Sequence, residues 1–348
     1  MISLFAPLRL RLDGAALLSN WRWLAKQGGG AACGAAIKAD SYGLGAAEVM
    51  RRLTAAGCRD FFVSNWIEAA ALEPLLDEGI GLSVLHGARK EDMAYALASR
   101  ARPVLSTAEQ VTRWREAGGG ACDVMIDTGM NRLGLDWRGD VAGWTQGLRI
   151  ETLASHLASA DEDTPLSALQ RERFVAVKDK VTARRASLAN SAGICLGADY
   201  AFDLTRPGLA LYGGVPRTDA AEHIRQVVKP QAQVLQRRRV IAGDTIGYNA
   251  TFTAPADVEI AVLNLGYADG YLRGFSGRGA AVTEGQKLPV LGRVSMDLLA
   301  VDVSALPDIA EGDWLDIDYR LPDAAAASGL SQYELLTGLG RRFDRVWA

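Results

Sequence analysis

The strongest constraint on the fold is a regular alternation of short apolar runs and helix-like stretches over the first two thirds of the chain. Eight runs of strand length end near Lys38, Ser64, His86, Leu105, Asp127, His156, Asn190 and Tyr212. Amphipathic stretches such as AAEVMRRLTAAG separate the runs, and Gly57 stands there at a helix C-cap position. Eight strands, each followed by a helix or connector, predict an α/β protein with a parallel (β/α)8 TIM-like barrel.

An open, doubly wound sheet is the alternative architecture. It is disfavoured because no GxGxxG segment follows the first strand. The predicted barrel spans residues 8–224.

The pattern changes after about residue 225. From QAQVLQRRRV onward, polar and apolar residues alternate, with Gly, Asp and Pro at intervals of eight to twelve positions. Strands without long helices between them predict a second, mostly antiparallel β domain over residues 225–348. Residues 1–7 are expected to pack with this domain.

Composition excludes several classes of function. The net charge of −3 over 348 residues offers no basic surface for nucleic acid or an anionic membrane. No apolar run approaches the length of a spanning helix, and the N-terminus lacks the pattern of a signal peptide. The four cysteines show no paired metal spacing, which predicts reduced thiols and a cytoplasmic location, and three histidines argue against a multi-histidine metal centre.

Chemically active residues follow several of the predicted strands. Lys38 ends the first strand, Arg132 follows the fifth, His156 ends the sixth, and Ser191 and Arg206 lie near the last two. Active sites of such barrels lie at the carboxyl ends of the strands, so these side chains are expected to converge on one mouth.

The side-chain amine of Lys38 is predicted to be a nucleophile. Burial in a partly apolar mouth lowers the pKa of an amine, and a neutral amine can hold an aldehyde as a Schiff base. This points to pyridoxal 5'-phosphate. Tyr42 and Ser191 offer hydroxyls to its phosphate, and the backbone at Gly208 allows close approach.

The motif AIKADSYGLG around Lys38 resembles the cofactor-lysine motif of the bacterial alanine racemases, a family of fold-type III pyridoxal-phosphate enzymes. Further segments resemble family motifs in the family order: IDTGMNRLG, SHLASAD, LANSAG, TRPGLALYGG, IGYNATFTA, LGYADGYLRG and GRVSMDLLAVDVS. The resemblance covers nearly the whole chain.

The resemblance implies a two-base racemase that interconverts L-alanine and D-alanine. Lys38 would be the base on one face of the alpha carbon, and Tyr248, supplied by the partner subunit of a homodimer, the base on the other. Inverting a stereocentre requires removing a proton on one side and returning one on the other. D-alanine for the peptidoglycan of the cell wall would be the product.

The resemblance also assigns the remaining site residues. Arg206 would donate to the pyridine nitrogen, with His156 near the ring and bonded to Arg206. Arg132 and the backbone N–H of Met296 would bind the substrate carboxylate. The phosphate would be held by Tyr42, Ser191, Gly208 and Leu209. The entrance would be lined by Asp161, Tyr267, Arg273 and Arg293.

Three positions depart from the family pattern. Met125 stands where many members carry a carbamylated lysine that orients the arginine corresponding to Arg132, so Arg132 is expected to be held differently, by a bound anion or a carboxylate. Ser187 replaces a histidine that helps position the cofactor. The C-terminal tyrosine of the family has no counterpart, and a rough alignment places Gly340 there.

These departures keep alternative functions open. Loss of the tyrosine ring predicts a wider pocket, hence a racemase of broader specificity, for serine as an example. A catalytically weak pyridoxal-phosphate-binding homologue is a second alternative. A fold-type III amino-acid decarboxylase is disfavoured, because that subfamily uses a cysteine of the partner chain where this chain has Tyr248, and no cysteine follows Cys195. The preferred amino acid and a biosynthetic or catabolic role are not encoded in the motifs.

Overall fold

The structure, a computed structural model, describes residues 5–348. It divides into two compact units, Leu17–Arg225 and a second unit of Gln226–Ala348 with the described residues up to Ala16. The predicted barrel start at residue 8 therefore moves to Leu17. The reason is strand pairing: Leu8–Leu12 is bonded to the strand Val228–Val240. Of residues 1–7, the first four lie outside the described part, while Pro7 accepts a hydrogen bond from Gln233 N–H (2.9 Å).

The first unit is a parallel barrel of eight strands, as predicted. Its strands are Ala32–Cys33 continued by Ala35–Ala36, Asp60–Val63, Gly81–Val84, Arg102–Leu105, Cys122–Asp127, Ile150–Ser155, Arg185–Ser187 and Leu204–Thr205, with Leu135–Asp136 as a short extra strand. Every pairing is parallel. The last strand joins its neighbour through Asp203 N–H to Ala186 O (3.0 Å) and closes onto the first through Ala32 N–H to Asp203 O (2.9 Å).

Two details of this barrel follow from single residues. Gly34 interrupts the first strand where a Cβ would lie 2.8 Å from the carbonyl oxygen of Asp60. The eighth strand ends at Thr205, earlier than the predicted Tyr212. Pro207, which lacks an N–H, follows, and Leu209–Tyr212 forms a 3-10 turn.

Helices connect the barrel strands. They are Gly14–Gln27 (which begins within the second unit), Ala46–Ala56, Trp66–Leu72, Met93–Ala98, Ala108–Glu116, Val141–Thr145, Leu166–Lys178 and Ser191–Cys195. Ala46–Ala56 buries Val49 and Leu53 and ends at Gly57, whose φ of 112° is the left-handed C-cap that the sequence predicts.

The second unit is a closed, mostly antiparallel β barrel, which confirms the predicted antiparallel domain. Its strands are Leu8–Leu12, Val228–Val240, Val258–Leu263, Ala280–Thr283, Gln286–Leu291, Leu299–Asp302, Trp314–Ile317 and Asp344–Trp347. The long strand Val228–Val240 bonds to Trp314–Ile317 through its first half and to Val258–Leu263 through its second half, which closes the barrel. Only Leu8–Leu12 and Asp344–Trp347 pair in parallel within this sheet.

Two features of the second unit lie outside that sheet. Helices Leu321–Ser328 and Gln332–Thr337 precede the last strand. A two-stranded hairpin, Thr245–Ile246 with Phe252–Thr253, is anchored by Ile246, which packs with Val240 and Ile260 in a small apolar core.

Within residues 5–348, no helix combines the length and the apolar character needed to cross a bilayer. The same residues hold no cluster of three metal-binding side chains.

Candidate active site

Lys38 lies just beyond the first barrel strand, on a turn of left-handed backbone. Residues 39–42 have φ between 52° and 57°, although none of them is glycine. Each such residue costs roughly 1–2 kcal/mol, so the turn requires support from its surroundings. Inside the turn, Ser41 N–H donates to Ile37 O (2.9 Å) and Gly43 N–H to Ala39 O (2.8 Å). The one lysine of the segment therefore lies at the start of a costly backbone turn.

The surroundings of Lys38 favour its neutral form. Burial lowers the pKa of Lys38 below its ordinary value, the positive charge of Arg132 lowers it further, and the carboxylate of Glu68 opposes both. The lowered pKa that the sequence predicts is therefore confirmed. An amine with a lowered pKa is a better nucleophile and a better base at neutral pH.

A polar cradle lies beside this turn. The Ser191 hydroxyl accepts hydrogen bonds from the N–H groups of Gly208 (3.0 Å) and Ala210 (3.2 Å), while the Leu209 N–H donates in none of the described hydrogen bonds. A Cβ on Gly208 would lie 2.3 Å from the hydroxyl oxygen of Tyr42, so only glycine lets these groups come together. Hydroxyls and backbone N–H groups that converge without a carboxylate suit a phosphate.

Arg206 is buried in the barrel interior. Its guanidinium donates to the Ser187 hydroxyl and to the backbone carbonyl of Ser155. The expected bond between His156 and Arg206 is not among the hydrogen bonds described for residues 5–348. Burial lowers the pKa of Arg206 to about 10, so the guanidinium stays charged at neutral pH and can donate to a ring nitrogen.

His156 directly follows the sixth strand, Ile150–Ser155, near the positive charges of Arg206, Arg132 and Lys38. Burial lowers the pKa of His156 to about 3, and the positive charges of Arg206, Arg132 and Lys38 contribute further. The imidazole is therefore neutral across the physiological pH range. Its backbone carbonyl accepts from the Gln170 side chain (2.9 Å), which fixes the strand end.

The loop of Arg132 is organised by one carboxylate. Asp127 accepts hydrogen bonds from the backbone N–H groups of Gly129 (2.8 Å), Asn131 (3.1 Å) and Arg132 (3.0 Å). The Arg132 side chain is exposed and forms none of the ion pairs described for residues 5–348. The expectation of a carboxylate partner for the side chain is therefore not met within the described residues, and the carboxylate present holds the backbone instead.

Met125 fills the position at which many family members carry a lysine. It is 9% exposed and packs with Val104 and Ala154, and with the partly buried Leu85. An apolar cluster thus occupies this part of the barrel interior, which offers no amine for carbamylation.

In the second unit, Tyr248 lies at the tip of the hairpin that begins at Thr245. Its side chain is 63% exposed. The preceding Gly247 and the following Asn249 both have positive φ (77° and 61°), which turns the chain sharply on either side of the phenol. A large aromatic ring held outward on a strained tip is a group available to another surface.

A compact pair of turns holds other predicted residues of this unit. Tyr267 N–H donates to Ser295 O (3.0 Å), and Ala268 N–H donates to Met296 O (2.9 Å). The N–H of Met296 itself donates in none of the described hydrogen bonds, and its side chain is 53% exposed. The Arg273 guanidinium lies 5.3 Å from the centre of the Tyr267 ring.

Arg293 and Asp161 complete the predicted residues. Arg293 lies beside the hairpin turn that carries Tyr248, since a Cβ on Gly247 would be 3.3 Å from the Arg293 backbone nitrogen. Asp161 is exposed and belongs to the first unit.

The C-terminal segment near Gly340 is tied to the same turns. Gly340 N–H donates to Asp269 O (3.1 Å), and a Cβ at this position would lie 3.2 Å from Ala268 O. The Arg342 guanidinium donates two hydrogen bonds to the buried carboxylate of Asp269 (2.6 and 2.8 Å) and a third to the carboxylate of Asp297 (2.7 Å). This arginine clamp fixes the segment against the turn that carries Tyr267.

The barrel mouth fits an aldehyde that carries a phosphate and a ring nitrogen. It combines the Lys38 amine of lowered pKa with the buried guanidinium of Arg206. Between them in function are the hydroxyl and N–H groups around Gly208, where a side chain would collide with Tyr42. A parallel barrel followed by an antiparallel β domain, with these residues at the barrel mouth, resembles the fold-type III pyridoxal-phosphate enzymes.

Comparison with known proteins narrows the class to a family. The family model for the N-terminal domain of alanine racemase matches residues 12–216, and that for the C-terminal domain matches residues 227–347. The chain belongs to the alanine racemase family.

Individual relatives agree. The chain is 41% identical to the alanine racemase of Acidiphilium cryptum, over 97% of this chain and 98% of that protein. It is 41% identical to that of Rhodospirillum rubrum, over 97% of this chain and 94% of that protein. The crystal structure of alanine racemase from Bartonella henselae with covalently bound pyridoxal phosphate superposes with a TM-score of 0.91 at 32% identity, covering 99% of this chain and all of that one.

Two carboxylates contribute to the site without having been predicted from the sequence. Glu68 bonds the start of the Lys38 turn, and its place four residues after a predicted strand end is a usable signal. Asp127 lies within the IDTGMNRLG motif and organises the Arg132 loop. Ser187, which stands where a histidine is expected from the family resemblance, accepts a hydrogen bond from Arg206.

Proposed function

We propose that the protein is a pyridoxal-phosphate-dependent racemase that interconverts L-alanine and D-alanine. The observation that carries the proposal is the Lys38 amine, whose pKa is lowered by burial and which lies on a turn beside groups suited to a phosphate. The chain that bears it matches the two alanine racemase domain models over residues 12–216 and 227–347. The product, D-alanine, would serve peptidoglycan synthesis in the cytoplasm.

The first unit would hold the cofactor. Tyr42, Ser191, Gly208 and Leu209 would bind its phosphate, and Arg206 would donate to the ring nitrogen. When bound, the cofactor supplies an electron sink that makes the substrate's alpha proton acidic. A guanidinium with a pKa of about 10 donates a hydrogen bond without surrendering its proton, so the nitrogen stays unprotonated and the sink is moderate. His156, neutral at physiological pH, would pack near the ring without adding charge.

Two bases would exchange the alpha proton. Lys38 would take or return a proton on one face of the alpha carbon. Tyr248 would act on the other face, and its exposed position on a hairpin tip supports delivery into the site of a partner subunit. A phenol needs nearby positive charge to act as a base at neutral pH. We therefore include a homodimer with composite active sites in the proposal.

Substrate recognition would rest on the carboxylate. Arg132, whose side chain forms none of the described ion pairs, has a guanidinium to offer it, and the N–H of Met296 is a second donor. Asp161, Tyr267, Arg273 and Arg293 would line the entrance. The cation–π contact of Arg273 on Tyr267 supports a shared role for that pair.

The decisive experiment is complementation between two inactive variants. Lys38→Ala and Tyr248→Phe are each expected to lose racemisation of L-alanine. Mixed under conditions that exchange subunits, they should recover about a quarter of wild-type activity, because half the dimers are mixed and each mixed dimer has one intact site. Recovery of nothing, with subunit exchange verified by mass, would contradict the composite site.

Substrate range separates the remaining alternatives. Turnover of alanine, serine, lysine and arginine should be compared in the same preparation. A preference for alanine by orders of magnitude would exclude the broader racemase, and absence of solvent-deuterium incorporation into L-alanine would favour the weak cofactor-binding homologue.

A further inference from the structure

Glu68 accepts two backbone hydrogen bonds, one from the start of the Lys38 turn and one from the end of the second barrel strand. One carboxylate oxygen accepts from the N–H of Ala39 (3.0 Å), and the other accepts from the N–H of Ser64 (2.8 Å). Glu68 belongs to the helix Trp66–Leu72, and its own N–H is capped by the Asn65 side chain (3.0 Å). A rigid helix start therefore links the ends of the first two barrel strands through one side chain.

The backbone on both sides of Lys38 is held by hydrogen bonds. On one side, Ile37 N–H is held by Phe62 O (2.9 Å) in the barrel. On the other side, Ala39 is the first residue of the left-handed run, and its N–H is held by Glu68. Lys38 lies between these two fixed points. Since the run is intrinsically costly, loss of the Glu68 bonds should let the backbone relax and redirect the amine.

The same carboxylate also contributes charge. Glu68 raises the pKa of Lys38 against the lowering effects of burial and of Arg132. Two more titratable groups face this pair: His156, whose imidazolium the Lys38 ammonium disfavours, and His86, which lies near Glu68. Glu68 is the carboxylate that moderates the Lys38 amine in this group.

We propose that Glu68 is a positioning residue for Lys38: it clamps the left-handed turn that directs the amine and balances the positive charge around it. The inference rests on the proposed function, since it assigns Lys38 the cofactor aldehyde.

The test measures capture of pyridoxal 5'-phosphate by the apoenzyme, separately from racemisation. Absorbance of the lysine adduct is followed over a pH series, and borohydride reduction with peptide mass analysis confirms attachment at Lys38. The rate at high pH reports positioning, and the pH midpoint reports the amine's charge. Three variants are compared: Glu68→Gln removes the charge and one acceptor, Glu68→Asp keeps the charge on a shorter arm, and Glu172→Gln alters an exposed glutamate of the same unit.

Glu68→Gln is expected to reduce the plateau rate about 10-fold or more and to move the midpoint to lower pH by roughly half a unit or more. Glu68→Asp should keep the wild-type midpoint while losing plateau rate, and Glu172→Gln should change neither. Should Glu68→Gln fail to fold by circular dichroism, the aspartate variant alone decides. A wild-type plateau and midpoint in the folded Glu68 variants would overturn the inference, whereas absence of an adduct on Lys38 in the wild type would instead overturn the proposed function.

Discussion

The arginine clamp on Asp269 makes a strong prediction about stability. The Asp269 side chain is fully buried, and it is neutralised by Arg342, whose side chain is 47% exposed. Arg342→Met would leave a buried carboxylate with only the N–H of Gly266 as a described donor (3.0 Å). Removing one partner of a buried pair costs roughly 3–5 kcal/mol.

We expect a cost near the lower end, about 3 kcal/mol, because Arg342 is half exposed and the Gly266 bond persists. For cooperative unfolding of a chain of 348 residues, that corresponds to a fall in Tm of roughly 4 °C. Arg320→Met is the matched control in the same unit. Its pair with Asp323 is exposed on both sides (65% and 57%) and should be worth less than about 1 kcal/mol.

The double variant Asp269→Asn/Arg342→Met isolates the charge effect. With the carboxylate gone, at least about half of the lost stability should return in thermal and urea unfolding. The clamp also holds the turn bonded to Met296, so Arg342→Met should lower kcat/KM for alanine. Additive losses in the double variant, or a loss no larger than that of Arg320→Met, would refute the reasoning.

Three further predictions follow from the first unit. Because Met125 offers no amine for carbamylation, activity in carbon-dioxide-free buffer should equal that with bicarbonate, and a bicarbonate-dependent rate would contradict this. Gly208→Ala should weaken cofactor affinity about 10-fold or more, because the added methyl would overlap the Tyr42 hydroxyl, whereas Gly30→Ala, which meets open space, should leave fluorescence titrations unchanged. The pKa of His156 is about 6.5 in the unfolded chain and about 3 in the folded protein, so between these values only the unfolded state binds the proton. The free energy of unfolding should therefore decline as the pH falls from 6.5 toward 3, by at most about 1.4 kcal/mol per pH unit. His156→Gln should flatten this decline in urea titrations, and an identical slope in both proteins would count against the prediction.

The architecture was readable from the sequence because its signals are local. Strand-length apolar runs alternating with amphipathic stretches predicted the barrel, and the change of period near residue 225 predicted the antiparallel unit. The location of Lys38 at a strand end, and the lowering of its pKa by burial, followed from the same pattern and are present in the structure. The period of the apolar residues indicates which face of each helix or strand is buried, and the buried faces determine how the strands are arranged in the barrel.

Tertiary structure alone decided the features that depend on distant partners. Residues 39–42 contain no glycine, so no local signal predicts their left-handed backbone. One hydrogen bond to this run comes from a distant residue, since Ala39 N–H donates to Glu68. Ser187 accepts a hydrogen bond from Arg206, 19 positions later in the chain. Leu8–Leu12 pairs with a strand more than 200 residues away, and for this reason the first unit begins at Leu17 and not at residue 8. Such pairings form between residues that come together only as the chain folds, so a local pattern of residues does not predict them.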